Sequence, residues 1–206
     1  VHEYAHAILD DQAGRTGFPT TEEGYAIHEG FADYLSADLN PLDEATPSAT
    51  SSSCCAEWFG YGLSFPVWSG TGTFTGTSPY ALRTTTNTKH YPDDMVGESH
   101  ADGEIWSAAL WRIRQQLGKE TADKIIIESN FYLWAGAGFR DAARALIFTD
   151  RVIYGGVHES IIRQIFQDDG ILMWHVRLAA EPWSPWDDRD ELGSPLIING
   201  GFETGD

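Results

Sequence analysis

The sequence predicts a mainly α-helical lobe interrupted by one irregular, partly β insertion at about residues 41–99. Three observations carry that prediction. Ile105, Ala109, Ile113 and Leu117 recur at a spacing of four, which lines them up on one helix face. Phe139, Ala142, Ala143, Leu146 and Ile147 share one side of a second helix. Between them and the N-terminal segments, residues 41–99 change texture to Ser, Thr, Gly and Pro with scattered aromatics, a composition that does not sustain helices.

Taken in order, a first helix is expected from Val1 to about Ala13, broken by Gly14 and Gly17 and ended by Phe18-Pro19. Thr20-Thr21-Glu22-Glu23 reads as the start of a second helix, with a Thr cap and acids in the first turn. That helix runs to about Leu39, ahead of Pro41. The insertion is long for a loop, so it is expected to wrap the surface with short strands or turns. Helices resume from about His100 to Leu117, then over 120–134, 139–154 and 158–168. No period of 20–50 residues repeats. The lobe is expected to span 1–180, followed by a Pro-rich acidic linker over 181–195. Residues 196–206 resemble the opening strand of jelly-roll, carbohydrate-binding-like modules appended to secreted enzymes.

Composition narrows the function. A chain of 206 residues with 42% hydrophobic residues and eight Trp can build a real core. Its net charge of −18 makes nucleic acid a poor partner, because phosphate binding needs a basic face. No apolar run is long enough to span a membrane. Lys89, Lys119 and Lys124 are the only lysines, and an acid-rich, Lys-poor surface suits a salty or extracellular setting. Cys54 and Cys55 are adjacent, a pairing that strains a disulfide, and they fix no compartment. Val1 lies inside the expected first helix, so further chain is expected upstream.

The chemistry begins at His2-Glu3-Tyr4-Ala5-His6. Two imidazoles four residues apart lie on one helix face and can share a metal ion at about 2.0–2.1 Å. Glu3 can then take a proton from water at a vacant coordination position, a proton that zinc loosens to a pKa of about 7. A pentapeptide with three fixed positions also arises by accident, so a third ligand matters. Gln12 and Leu9 occupy the positions where metzincins would carry a further His and a Gly, which excludes that group. Glu29, in Glu29-Gly-Phe-Ala-Asp33 on the next helix, offers the third ligand. Asp33, one turn on, is placed to accept the distal N–H of a ligand imidazole, His2 being the candidate. His28 neighbours Glu29 but points about 100° away around the helix, so it is not expected to be a ligand.

These blocks, with Ser99-His100-Ala-Asp-Gly103-Glu104-Ile-Trp106, resemble the thermolysin-like C-terminal catalytic lobe of gluzincin zinc metallopeptidases, and most closely the fungalysin family. A late block, Phe139-Arg-Asp-Ala-Ala-Arg-Ala-Leu146, supports the resemblance, which covers about residues 1–173. It implies one zinc ion held by His2, His6 and Glu29, with Glu3 as the base and His100 as a hydrogen-bond donor to the tetrahedral oxyanion. A donor placed where negative charge grows is worth a few kcal/mol, roughly. Asp93, Asp94 and Glu98 are the candidates for orienting His100, and Glu104 is expected to serve structure by bonding local backbone. A Tyr that thermolysin-type enzymes also direct at the oxyanion falls on Gly17 here, leaving Tyr25 or Tyr91 as substitutes.

The function so implied is a secreted zinc endopeptidase acting on extended polypeptide, made with a propeptide and with an N-terminal lobe forming the other cleft wall. Without that lobe the 206 residues alone are expected to hydrolyse weakly. Two rivals carry different expectations. A gluzincin aminopeptidase would use a Tyr for the oxyanion and ignore N-blocked peptides; His100 in its block favours the endopeptidase. A catalytically inactive zinc-binding adhesion protein would bind metal without hydrolysis, but such proteins lose the base or a ligand first, and all five chemical positions stand here. Calcium is compatible with the acidic surface, although no ligand loop is evident. Carbohydrate is the partner expected of an appended module.

Overall fold

Helices account for nearly all the regular structure in the computed structural model, which describes residues 1–39, 54–55, 66–68, 74–77 and 83–173. Among the described residues six α-helices follow in order: α1 His2–Ala13, α2 Glu22–Leu39, α3 Ser99–Leu117, α4 Lys119–Ser129, α5 Phe139–Tyr154 and α6 Glu159–Asp168. Four short strands complete it: β1 Cys54–Cys55, β2 Pro66–Trp68, β3 Phe74–Thr77 and β4 Arg83–Thr84. They form two antiparallel pairs, β1 with β4 and β2 with β3. The fold is thus mainly α with a small β element, as the insertion's texture implied. The expected linker and appended module lie outside the described residues.

Helix boundaries follow from local chemistry. The Thr21 hydroxyl accepts the Gly24 amide at 2.9 Å, capping α2 as its sequence suggested. Between α1 and α2 the chain makes one 3-10 turn, Gly14–Thr16, and reverses at Gly17 with φ +83°. Gly17 therefore serves the turn: that backbone conformation strains any residue with a Cβ. One boundary differs from expectation. The helix predicted over 120–134 stops at Ser129 and tightens into a 3-10 turn, Asn130–Tyr132. The Asn130 amide side chain donates to Gln12 of α1 there, so a tertiary bond takes over from helical pairing.

The core lies along α3. Trp106 stacks on Phe139 of α5 and on Phe166 of α6, with ring centroids at 5.7 and 5.4 Å. Ile105, Leu110 and Ile113 of the same helix are fully buried. The α2–α3 interface is unusually close. A Cβ on Gly30 would overlap the Gly103 carbonyl oxygen and stand 2.8 Å from the Trp106 Cβ. One on Gly103 would meet Glu29 and Gly30 at 3.0 Å. Only a bare backbone at both positions lets these helices approach so nearly, and the approach brings Glu29 beside the start of α3.

Buried carboxylates tie the elements together. Asp38 of α2 pairs with Arg114 and Lys119, and Asp102 accepts the Val96 and Gly97 amides at 2.8 and 2.9 Å. Both of these acids are thus partnered, as the cost of isolating a charge demands.

Candidate metal centre

Three side chains from two helices converge. His2 and His6 project from the same face of α1, and Glu29 faces them from α2. The His2 Nε2 lies 3.1 Å from the His6 Nε2 and 3.2 Å from the Glu29 Oε2; His6 Nε2 to Glu29 Oε2 is 3.7 Å. Among the described residues, these three form the group of His, Cys, Asp or Glu that could hold a metal ion. The sequence picked the same three.

The tautomers follow from what lies behind each ring. His2 Nδ1 donates to the buried Asp33 Oδ1 at 3.0 Å. Its Nε2 is therefore the nitrogen left to face His6 and Glu29. Asp33 is held in turn by Arg83, whose Nε and Nη2 donate to its two oxygens at 2.6 and 2.8 Å. This bidentate clamp comes from β4, whose register with β1 sets Arg83 opposite Cys55.

His6 shows the same logic through a different partner. Its Nδ1 lies 2.6 Å from the Nδ1 of His28, whose Nε2 is 3.0 Å from the Asp10 Oδ1. His28 thus meets His6 at Nδ1, whereas Glu29 meets it at Nε2.

The donor set fits a tetrahedral ion. Ligands about 2.0–2.1 Å from a tetrahedral centre stand roughly 3.3 Å from one another. The observed separations of 3.1, 3.2 and 3.7 Å bracket that value. Two ring nitrogens and a carboxylate oxygen thus converge at the separations that ligands of one cation would show, with Asp33 behind one ring and His28 behind the other. The electrostatics agree. Burial disfavours a charged His2, but hydrogen bonds to Asp33 and Glu29 outweigh it and raise its pKa to about 9. His6 moves down, chiefly through burial and also through the nearby His28 and His2. Burial alone would raise Glu29, yet His2, His100 and His6 bring it below the usual carboxylate range. Glu29 is thus held as the carboxylate by the imidazoles around it.

His100 stands at the rim, half exposed, with its Nε2 3.4 Å from the Glu29 Oε2. Of the three carboxylates proposed to orient it, Glu98 does so: the His100 Nδ1 donates to the Glu98 Oε1 at 2.7 Å. Glu98 also caps α3, accepting the His100 and Ala101 amides at 3.2 and 2.8 Å. Backbone and ring of His100 are thus fixed by one carboxylate. Glu3 is exposed in the first turn of α1, close enough for its charge to be felt at His6.

The remaining candidates sort cleanly. Glu104 accepts the Thr84 amide at 3.1 Å and pairs with Lys89 at 2.7 Å, so it anchors β4 and the following loop. Tyr91 donates its hydroxyl to Glu23 at 2.8 Å and packs edge-on against Phe139, which commits it to the fold. Tyr25 lies one turn before Glu29 and is half exposed, lining a cleft of about 210 Å³ with Glu22, Gly97, Ser99 and Asp102. Arg83 and the His28–Asp10 couple were not anticipated as parts of the site.

No family model matches the chain, and no curated protein matches it. None of the described helices is long and apolar enough to cross a membrane.

Proposed function

We propose that this chain is the metal-bearing helical lobe of a zinc-dependent endopeptidase of the thermolysin-like, gluzincin kind, nearest in its motifs to the fungalysins. The observation that carries the proposal is the convergence of His2 Nε2, His6 Nε2 and Glu29 Oε2 at tetrahedral separations, with both imidazoles tied down on their other side. Zinc suits two imidazoles and a carboxylate, and three protein ligands leave a position open for solvent, the pattern of hydrolytic rather than structural sites. When bound there, the ion would supply Lewis acidity toward a peptide carbonyl and make water acidic enough to attack near neutral pH.

The chain's own groups supply the rest. Glu3, exposed at the mouth and one residue from His2, serves as the base that takes the attacking water's proton and returns it to the leaving amine. His100 donates from Nε2 to the oxyanion. Because Glu98 already holds the Nδ1 proton, His100 can donate from Nε2 only as the imidazolium, so its hydrogen bond is charge-assisted. A His in this place, with Tyr91 committed elsewhere, favours endopeptidase over aminopeptidase chemistry. The acidic, Lys-poor composition supports an extracellular setting.

The test is Glu3→Gln, assayed beside its parent on an unfolded protein with zinc. Hydrolysis should fall by about 10²–10⁴-fold with zinc content unchanged. Undiminished turnover in that variant would end the proposal; zinc binding with no hydrolysis by the parent would favour the adhesion protein instead.

A further inference from the structure

We infer that His28 and Asp10 are positioning residues for the metal centre, a relay that fixes the tautomer and orientation of His6. The inference rests on the metal reading above and adds to it a part that the motif does not contain. The Asp10 carboxylate, when ionised, only accepts hydrogen bonds, so the His28 Nε2 at 3.0 Å must carry the proton between them. With that proton on Nε2, the His28 Nδ1 is left as an acceptor. That atom lies 2.6 Å from the His6 Nδ1, which must be the donor. With its proton placed at Nδ1, His6 offers the lone pair on Nε2 to the space it shares with His2 and Glu29.

The relay is pre-ordered by packing. The His6 and His28 rings are nearly parallel, with centroids 4.6 Å apart and planes 23° from each other. Phe18, itself buried, stacks near His28 at 6.4 Å and 18°. His28 therefore cannot swing away without opening a contact. The two imidazole ligands are thus oriented by unlike devices: Arg83 and Asp33 behind His2, and Asp10 through His28 behind His6. The second device sets an imidazole nitrogen against His6, whereas the first sets a buried carboxylate against His2. An angular offset of about 100° on α2 separates His28 from Glu29. That offset puts one residue in front of the His6 ring and its neighbour behind it.

The experiment measures zinc affinity of the whole chain by competition with a chromophoric chelator, together with the visible spectrum of the cobalt(II)-loaded protein. His28→Phe keeps the ring against Phe18 and removes both nitrogens. His28→Asn returns an acceptor oxygen near the position of Nδ1 but cannot reach Asp10. Asp10→Ala alters an exposed residue at the end of the relay and leaves the core untouched. The relay predicts a loss of about 10–100-fold for His28→Phe, the usual effect of removing a ligand's hydrogen-bond partner. It further predicts recovery of most of that loss in His28→Asn, a smaller loss in Asp10→Ala, and the same cobalt spectrum for wild type and His28→Asn. Unchanged affinity in both His28→Phe and Asp10→Ala would overturn the relay, as would a His28→Asn variant no better than His28→Phe. A cobalt spectrum altered in His28→Asn would also overturn it, by making His28 a ligand. A wild-type chain that takes up no zinc would end the metal reading itself, an outcome distinct from these because it appears before any variant is compared.

Discussion

Gly30→Ala should separate the two helices on which the site depends. The new methyl would overlap the Gly103 carbonyl oxygen and sit 2.8 Å from the Trp106 Cβ and 3.1 Å from the Ser107 amide nitrogen. Ordinary carbon contacts lie at about 3.5–4.0 Å, so α2 and α3 must part by something near 1 Å. Nothing flexible can yield, because two of the three obstructing atoms are backbone and the third is the Cβ of a Trp stacked between two Phe rings. Overpacking of this kind costs about 1–3 kcal/mol. The helix propensity gained on replacing a mid-helix Gly by Ala offsets roughly 1 kcal/mol, and the rigidity of the obstruction places the clash at or above the top of its range. A net loss of about 2 kcal/mol follows, or a Tm lower by about 4–8 °C for a chain of this size. Gly14→Ala is the control: its Cβ would meet nothing within 4 Å, and its φ of −60° suits any residue. It should be neutral or slightly stabilising. Thermal unfolding of the two variants beside wild type decides the matter. Gly30→Ala melting with the wild type would refute the close-packing argument, and with it the account of why Glu29 meets His100.

Asp33→Asn should weaken zinc binding by about 10–100-fold, since the amide is a poorer acceptor for the His2 N–H and a poorer partner for Arg83; chelator competition measures it, and full affinity would contradict the role. Glu159 probes the fold away from the site. Hydrogen bonds from Arg151 of α5, outweighing burial, and from Arg163 hold its carboxyl below the usual range. A depressed folded pKa means the stabilisation is complete above the unfolded value and is lost as pH falls through the folded one. Glu159→Gln should therefore lower stability near neutral pH by about 0.5–1 kcal/mol, discounted for the partial exposure of the pair, and the gap to wild type should close in acid.

Much of the fold was legible because its helices announce themselves by spacing. The stripe through Ile105, Ala109 and Ile113 is buried as drawn, with Leu117 at its end only partly so, and the Thr21 cap stands where its hydroxyl was expected. Spacing also exposed the front of the site, since residues four apart on one helix must face together. What it could not expose are partners that arrive through tertiary packing. Arg83 reaches Asp33 across fifty residues of sequence, from a strand whose register is set by its pairing with β1. His28 was set aside by a helical-wheel argument that asked whether it points at the metal; the angle was right, but the question omitted what stands behind a ligand. Glu98 could be separated from Asp93 and Asp94 only by the cap it forms on α3.

Zinc uptake by the whole chain, compared with that of Glu29→Ala after dialysis against a metal buffer, bears most directly on the central claim. Convergence of His2, His6 and Glu29 on one ion predicts one zinc per wild-type chain and its loss in the variant. A wild type that stays metal-free, or a Glu29→Ala chain that binds as tightly as its parent, would contradict it.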